Sequence, residues 1–106
     1  MNIDVERVDS IKKITLNVKK FDVANMQEIK KNIQAEVEAD ASDILMDLSK
    51  VSFVDSSGLS VIISIFKQLK SSNHQLKLCG LQEQPMELLE ITQLHKIFTI
   101  IDSCNK

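Results

Sequence analysis

The chain has 106 residues, within the range of roughly 50–200 that one domain usually spans, and 43% of them are hydrophobic, enough for one core. Thirteen cationic side chains against fifteen acidic ones leave a formal charge of −2, Arg7 is the one arginine, and the aromatic residues are four Phe without Trp or Tyr. The chain therefore lacks both the basic field and the stacking platform on which nucleic-acid binding rests. No run of about 18 apolar residues occurs, and Met1 to Glu6 lacks the basic-then-apolar start of a secretory signal, so the expectation is a cytoplasmic protein with no membrane partner.

Ile3, Val5 and Arg7 alternate with Asp4 and Glu6, and Ile14, Leu16 and Val18 alternate with Thr15 and Asn17. This period of two predicts a hairpin turning near Asp9-Ser10. From Val23 to Ala39 the period changes: Met26, Ile29, Ile33 and Val37 recur at three and four, which predicts an amphipathic helix with Asp22 placed to cap its start. The short apolar run Ile44-Leu45-Met46 within Asp43 to Leu48 predicts a central strand covered on both faces. After the short segment Val51 to Val54, a helix beginning near Leu59 carries Leu59, Ile62, Ile63, Phe66 and Leu69 on its expected inner face.

Ser71 to His74 ends that helix, Leu76 to Cys79 reads as a strand, Pro85 suits a first helical turn before Met86, Leu88, Leu89 and Ile91, and Ile97 to Ile101 reads as a last strand. The order predicts a single α/β domain over residues 1–106, with a mixed, mostly parallel sheet in which strand-helix crossovers follow the opening hairpin and helices pack mainly on one face. Cys79 and Cys104 lie 25 positions apart, with no CxxC spacing and no clustered His; two unpaired thiols and no zinc site are expected. Met26, Met46 and Met86 stand at core spacing and are read as packing.

The segment richest in chemistry is Asp55-Ser56-Ser57-Gly58, set between a strand end and a helix start. Asp55 or Ser56 can cap the helix there, and the free N–H groups and positive dipole end suit an anion. The longer stretch Asp47-Leu48-Ser49-Lys50-Val51-Ser52-Phe53-Val54-Asp55-Ser56-Ser57-Gly58-Leu59 resembles the signature of the STAS domain, in particular the bacterial anti-sigma factor antagonists. Phe21-Asp22 is similar to the family's acidic position before the first helix, and Leu76 to Phe98 follows its strand, helix and final strand.

The resemblance implies a partner-switching regulator without catalysis of its own. Unphosphorylated, it binds a serine-protein kinase that is also the anti-sigma factor; phosphate on Ser56 ends that binding, and a serine phosphatase removes it. It implies contact roles for Asp22 and Asp55 around Ser56. Three departures from the family pattern stand out: no glycine precedes Phe21, Ser72-Asn73 replaces a glycine near the end of the second helix, and the sequence stops at Lys106 where many members continue into a C-terminal helix, so that one sheet face is expected to be less covered or to be completed by a partner.

At 100° per residue, Ser57, Ser60, Val61, Ser64 and Gln68 point outward from the second helix with Ile65 on a flank, which predicts an apolar stripe of Val61 and Ile65 among small serines next to Ser56. With Asp22 and Asp55, which the resemblance implies, and Gly58 of the motif, the expected partner face is Asp22, Asp55, Ser57, Gly58, Ser60, Val61, Ser64 and Ile65. A serine hydrolase is disfavoured because Val54 and Asp55 stand where a nucleophile elbow needs glycine, and His74 and His95 lie at a polar turn and a helix end. A magnesium-dependent phosphoacceptor Asp47 or Asp55 is disfavoured because the first strands end in Val8-Asp9 and Val18-Lys19 without an acidic pair. No P-loop is present and no cofactor is expected. The alternative is a STAS module that binds within a transport or signalling complex and is never phosphorylated.

Overall fold

The computed structural model describes residues 2–105, and Met1 and Lys106, the ends of the expected 1–106 domain, lie outside the described residues. Strands β1 (Ile3–Val8) and β2 (Ile11–Leu16) form the opening hairpin, with Asp9 in the left-handed region (φ 58°) at its turn. They are followed by β3 (Lys20–Phe21), α1 (Met26–Ala39), β4 (Asp43–Asp47), β5 (Phe53–Val54), α2 (Ser56–Ser71), β6 (Leu76–Cys79), α3 (Glu83–Ile91), a 3-10 turn (Leu94–Lys96) and β7 (Thr99–Ile101). The main sheet has the order β1-β2-β4-β6-β7, antiparallel only between β1 and β2, with β4 at its centre as the apolar run predicted.

A second, two-stranded sheet pairs β3 with β5 in parallel, Lys20 opposite Phe53 and Phe21 opposite Val54. Two residues are too few to show a period, and the hydropathy pattern does not mark β3. Yet this pair, at the mouth of α2, is what brings the segment before α1 to the start of α2.

Alternation along the strands sorts the sheet into two unlike faces. Ile14, Leu16, Ile44, Met46, Leu76 and Leu78 face one side, where Ile29, Ile33 and Val37 of α1, Leu59, Val61, Ile62, Ile65 and Leu69 of α2, and Leu89 of α3 complete one core. Burying a side chain of this size contributes about 1.5–3 kcal/mol, so this helical side dominates the stability. The opposite face carries Lys13, Thr15, Leu45, Asp47, Lys77 and Cys79 in register and, among the described residues, no helix.

Four features depart from expectation. The second helix begins at Ser56, three residues before the expected Leu59, because Asp55 caps it. The first helix starts at Met26 after a turn, with Asn25 and not Asp22 at its N-cap. The last strand is shortened to Thr99–Ile101 because Leu94 to Lys96 coil into the 3-10 turn, whose Leu94 carbonyl accepts the Ile97 and Phe98 N–H groups. Cys79 and Cys104, expected as unpaired thiols, form a disulfide: their separation in sequence hides that β7 brings the tail back over β6, with the two Cα atoms 5.3 Å apart.

A polar device unseen in the sequence fastens α1. Lys12, 4% exposed, points through the hairpin to the end of that helix, where its Nζ donates to the carbonyls of Glu36 (2.6 Å) and Asp40 (3.0 Å). Both carbonyls belong to the last turn and C-cap of α1, where the cation meets the negative end of the helix dipole.

Candidate functional site

The site is assembled around Asp55. Its Oδ1 accepts the Gly58 N–H (2.9 Å) and its carbonyl accepts the Leu59 N–H (2.9 Å), so it is the N-cap of α2 by both side chain and backbone. Its Oδ2 accepts the Val23 N–H (3.2 Å), and its own N–H donates to the Phe21 carbonyl (3.2 Å). One carboxylate thus joins the segment Phe21–Val23 to the first turn of α2.

That junction is close because of Gly58. A Cβ there would lie 2.3 Å from the Phe21 carbonyl oxygen, so any side chain at 58 drives the segment before α1 away from the helix. Gly58 is buried and serves by the absence of a side chain.

Ser56 is the first residue of α2 and is exposed. Among the described residues its hydroxyl makes no hydrogen bond, whereas the Ser60 hydroxyl donates back to the Ser57 carbonyl (2.7 Å). With Asp55 serving Gly58 and Leu59, the N–H groups that remain open at the helix start are those of Ser56 and Ser57. Asp22 stands across the junction, half-buried, in a turn of its own: its Oδ1 accepts from Ala24 N–H (3.0 Å) and its N–H donates to Asn25 Oδ1 (3.1 Å).

The strand leading into the site is clamped from α3. The Gln84 side-chain amide donates to the Val54 carbonyl (3.0 Å) and accepts the Val54 N–H (2.8 Å), taking the place of a neighbouring strand. Beneath it, Asp47 Oδ1 accepts the Ser49 N–H (2.9 Å), and Gln82 donates to the Ser49 carbonyl (2.8 Å), which holds the loop between β4 and β5.

The structure brings Asp22, Asp55, Ser56, Ser57 and Gly58 together, and Ser60 continues along the exposed side of α2. It does not leave Val61 and Ile65 there. Both are buried, at 1% and 0% exposure, because α2 is covered on two sides, by the sheet and by α1, and its apolar stripe is wider than the one-sided reading allowed. Ile63 and Phe66, expected inside, are half-buried instead, Phe66 meeting Phe98 edge to face at 5.1 Å between centroids and Lys70 lying over its ring.

The apolar surface next to Ser56 comes from residues outside the helix. Val23 is 70% exposed although its N–H is held by Asp55, and Phe53 on β5 is 39% exposed. A large apolar residue directly after Asp22 was the one available signal for Val23.

Among the described residues no metal-ligating set is built at this site. The group of Asp47, Cys79 and Cys104 lies elsewhere, on the helix-free face; its sulfurs are bonded to each other and Asp47 is engaged with Ser49 N–H and, at 3.8 Å, with Lys13. No helix among the described residues is long and apolar enough to cross a membrane.

Comparison with known proteins agrees with this geometry. The STAS domain model matches residues 2–106, so the chain belongs to the STAS domain family. The anti-sigma-B factor antagonist of Bacillus subtilis is 33% identical over 101 residues, covering 94% of this chain and 92% of that protein. A crystal structure from Thermotoga maritima, 28% identical, superposes with a TM-score of 0.86 over 96% of this chain and 87% of its own. The Bacillus cell fate determinant SpoIIAA in its phosphorylated form shares the fold, with a TM-score of 0.76 at 17% identity over 97% of this chain and 92% of that one.

Proposed function

We propose that this chain is an anti-sigma factor antagonist that switches partners: unmodified, it binds a serine-protein kinase that doubles as the anti-sigma factor, and phosphate on Ser56 ends the binding until a serine phosphatase removes it. The observation that carries the reading is Ser56 itself, exposed and without an internal hydrogen bond, at the first position of α2 in a surface joined by Asp55. The relationship to anti-sigma factor antagonists supports it.

Phosphorylation adds about −1.5 to −2 charge at a helix N-terminus, where the dipole and the open N–H groups of Ser56 and Ser57 stabilise an anion, so the fold tolerates it. The effect falls on binding. Both carboxylate oxygens of Asp55 are already engaged, and a dianion beside that fixed negative charge is costly to bury under a partner unless cations meet it. The partner face consists of Asp22, Asp55, Ser57, Ser60 and Ser64, with Val23 and Phe53 as its apolar part in place of Val61 and Ile65.

The test is intact-mass spectrometry of the chain and its Ser56→Ala variant after incubation with ATP and candidate serine kinases encoded beside it. A gain of about 80 Da by the wild type alone is expected. Phosphate on both proteins would move the site away from Ser56, and a kinase that binds the chain without modifying it would leave a passive binding module.

A further inference from the structure

The helix-free face of the sheet holds a second chemical feature. By register, Lys13, Leu45 and Lys77 form one row across β2, β4 and β6, and Thr15, Asp47, Cys79 and Ile101 form the next. Beyond Ile101 the chain reverses through Asp102 and Ser103, the Asn105 N–H donating to Ser103 Oγ (3.1 Å), and Cys104 comes down on Cys79. Cys104 and Asn105 then lie beside Glu6, Val8 and Lys13 of the first two strands, so the tail reaches across the face from β7 toward β1.

The two sulfurs differ in access. Cys79 is fully buried, whereas Cys104 is half-buried and sits in an otherwise exposed tail. An Asp47 carboxylate oxygen lies within 4.8 Å of both, and it is paired with Lys13. Among the described residues, the tail is tied to the sheet by this one covalent link and by no backbone pairing beyond β7.

We infer that Cys79 and Cys104 are a reversible thiol–disulfide exchange site, with low-molecular-weight thiols and their disulfides as its substrate class, which fastens residues 102–105 over the helix-free face. Going oxidised, the Cys104 thiolate attacks a small disulfide RS–SR and expels RS⁻. The Cys79 thiolate then attacks the Cys104 sulfur of the mixed disulfide and expels the second RS⁻. Two protein thiols and RS–SR thus become one protein disulfide and two RSH, the thiol protons passing to the departing thiolates. Going reduced, a small thiolate attacks Cys104, the accessible sulfur, and releases Cys79; a second thiolate frees Cys104 and carries away RS–SR. The tail is then held by noncovalent contacts alone.

The experiment uses the full chain, equilibrated with oxidised or reduced glutathione, then read by intact mass with iodoacetamide and by hydrogen exchange. With oxidised glutathione the protein should be about 2 Da lighter and refuse alkylation; with reduced glutathione, still folded, it should take one label rapidly at Cys104 and a second slowly. Amides of residues 99–105 should exchange at least about tenfold faster in the reduced protein and in the Cys104→Ser variant than in the oxidised one. Failure to form the disulfide, resistance to reduction until the protein is denatured, or equal exchange in the two states would each overturn the inference. None of these readouts depends on Ser56.

Discussion

Ser56 stands beside a residue, Asp55, whose carboxylate is fully engaged. Asp55 uses one oxygen on the cap of α2 and the other on Val23, and Gly58 lets the Phe21 carbonyl approach, so the exposed Ser56 hydroxyl, without a hydrogen bond among the described residues, sits on a fixed corner. Gly58→Ala should therefore destabilise the chain by about 2–4 kcal/mol, read from urea unfolding, since backbone and not a flexible side chain meets the added methyl. Partner binding should weaken in the fraction that still folds. The contact residues divide differently from the helical-wheel expectation. Val61→Glu buries a carboxylate among the core residues of α2 and should cost more than about 3 kcal/mol, while Val23→Glu should leave the melting midpoint nearly unchanged and weaken kinase binding. Unimpaired binding by a folded Val23→Glu chain would remove Val23 from the partner face.

Among the elements, those with a clear hydrophobic pattern were legible: the hairpin follows from alternation, α1 from three-four spacing, the central β4 and β6 from short apolar runs, and the Asp55-Ser56-Ser57-Gly58 motif marked the neighbourhood in which α2 starts. What was hidden depends on pairing at a distance. The two residues of β3 carry no period, the burial of Val61 and Ile65 needs α1 against α2, and the tail's return to Cys79 needs the β6–β7 register. Gln84 belongs to the same class, for nothing in its local sequence says that its amide will serve Val54 as a strand would. Gln84→Ala leaves both polar groups of Val54 without that partner and should cost about 1–3 kcal/mol in urea unfolding, with faster hydrogen exchange at Val54 and Asp55. An unchanged exchange rate at Val54 would mean that water replaces the clamp at no cost.

At the scale of the molecule, the two faces of one sheet are built differently. The helical face carries the core and, at the mouth of α2, the Ser56 corner; the opposite face carries the disulfide-bound tail. Closing a loop of 25 residues contributes about 3.5 kcal/mol in the chain-entropy account, so reduction should lower the thermal midpoint by roughly 15 °C, measured by calorimetry. Because Ser56 and the disulfide stand on different faces, that loss should leave the Ser56 surface in place. The central claim is that phosphate on Ser56 controls partner choice, and the most direct measurement is titration calorimetry of the kinase with the unmodified chain and with the same chain phosphorylated at Ser56. The account predicts tight binding of the unmodified chain and binding weaker by at least about a hundredfold, near 2.7 kcal/mol, for the phosphorylated one. Equal affinity for the two forms would contradict it.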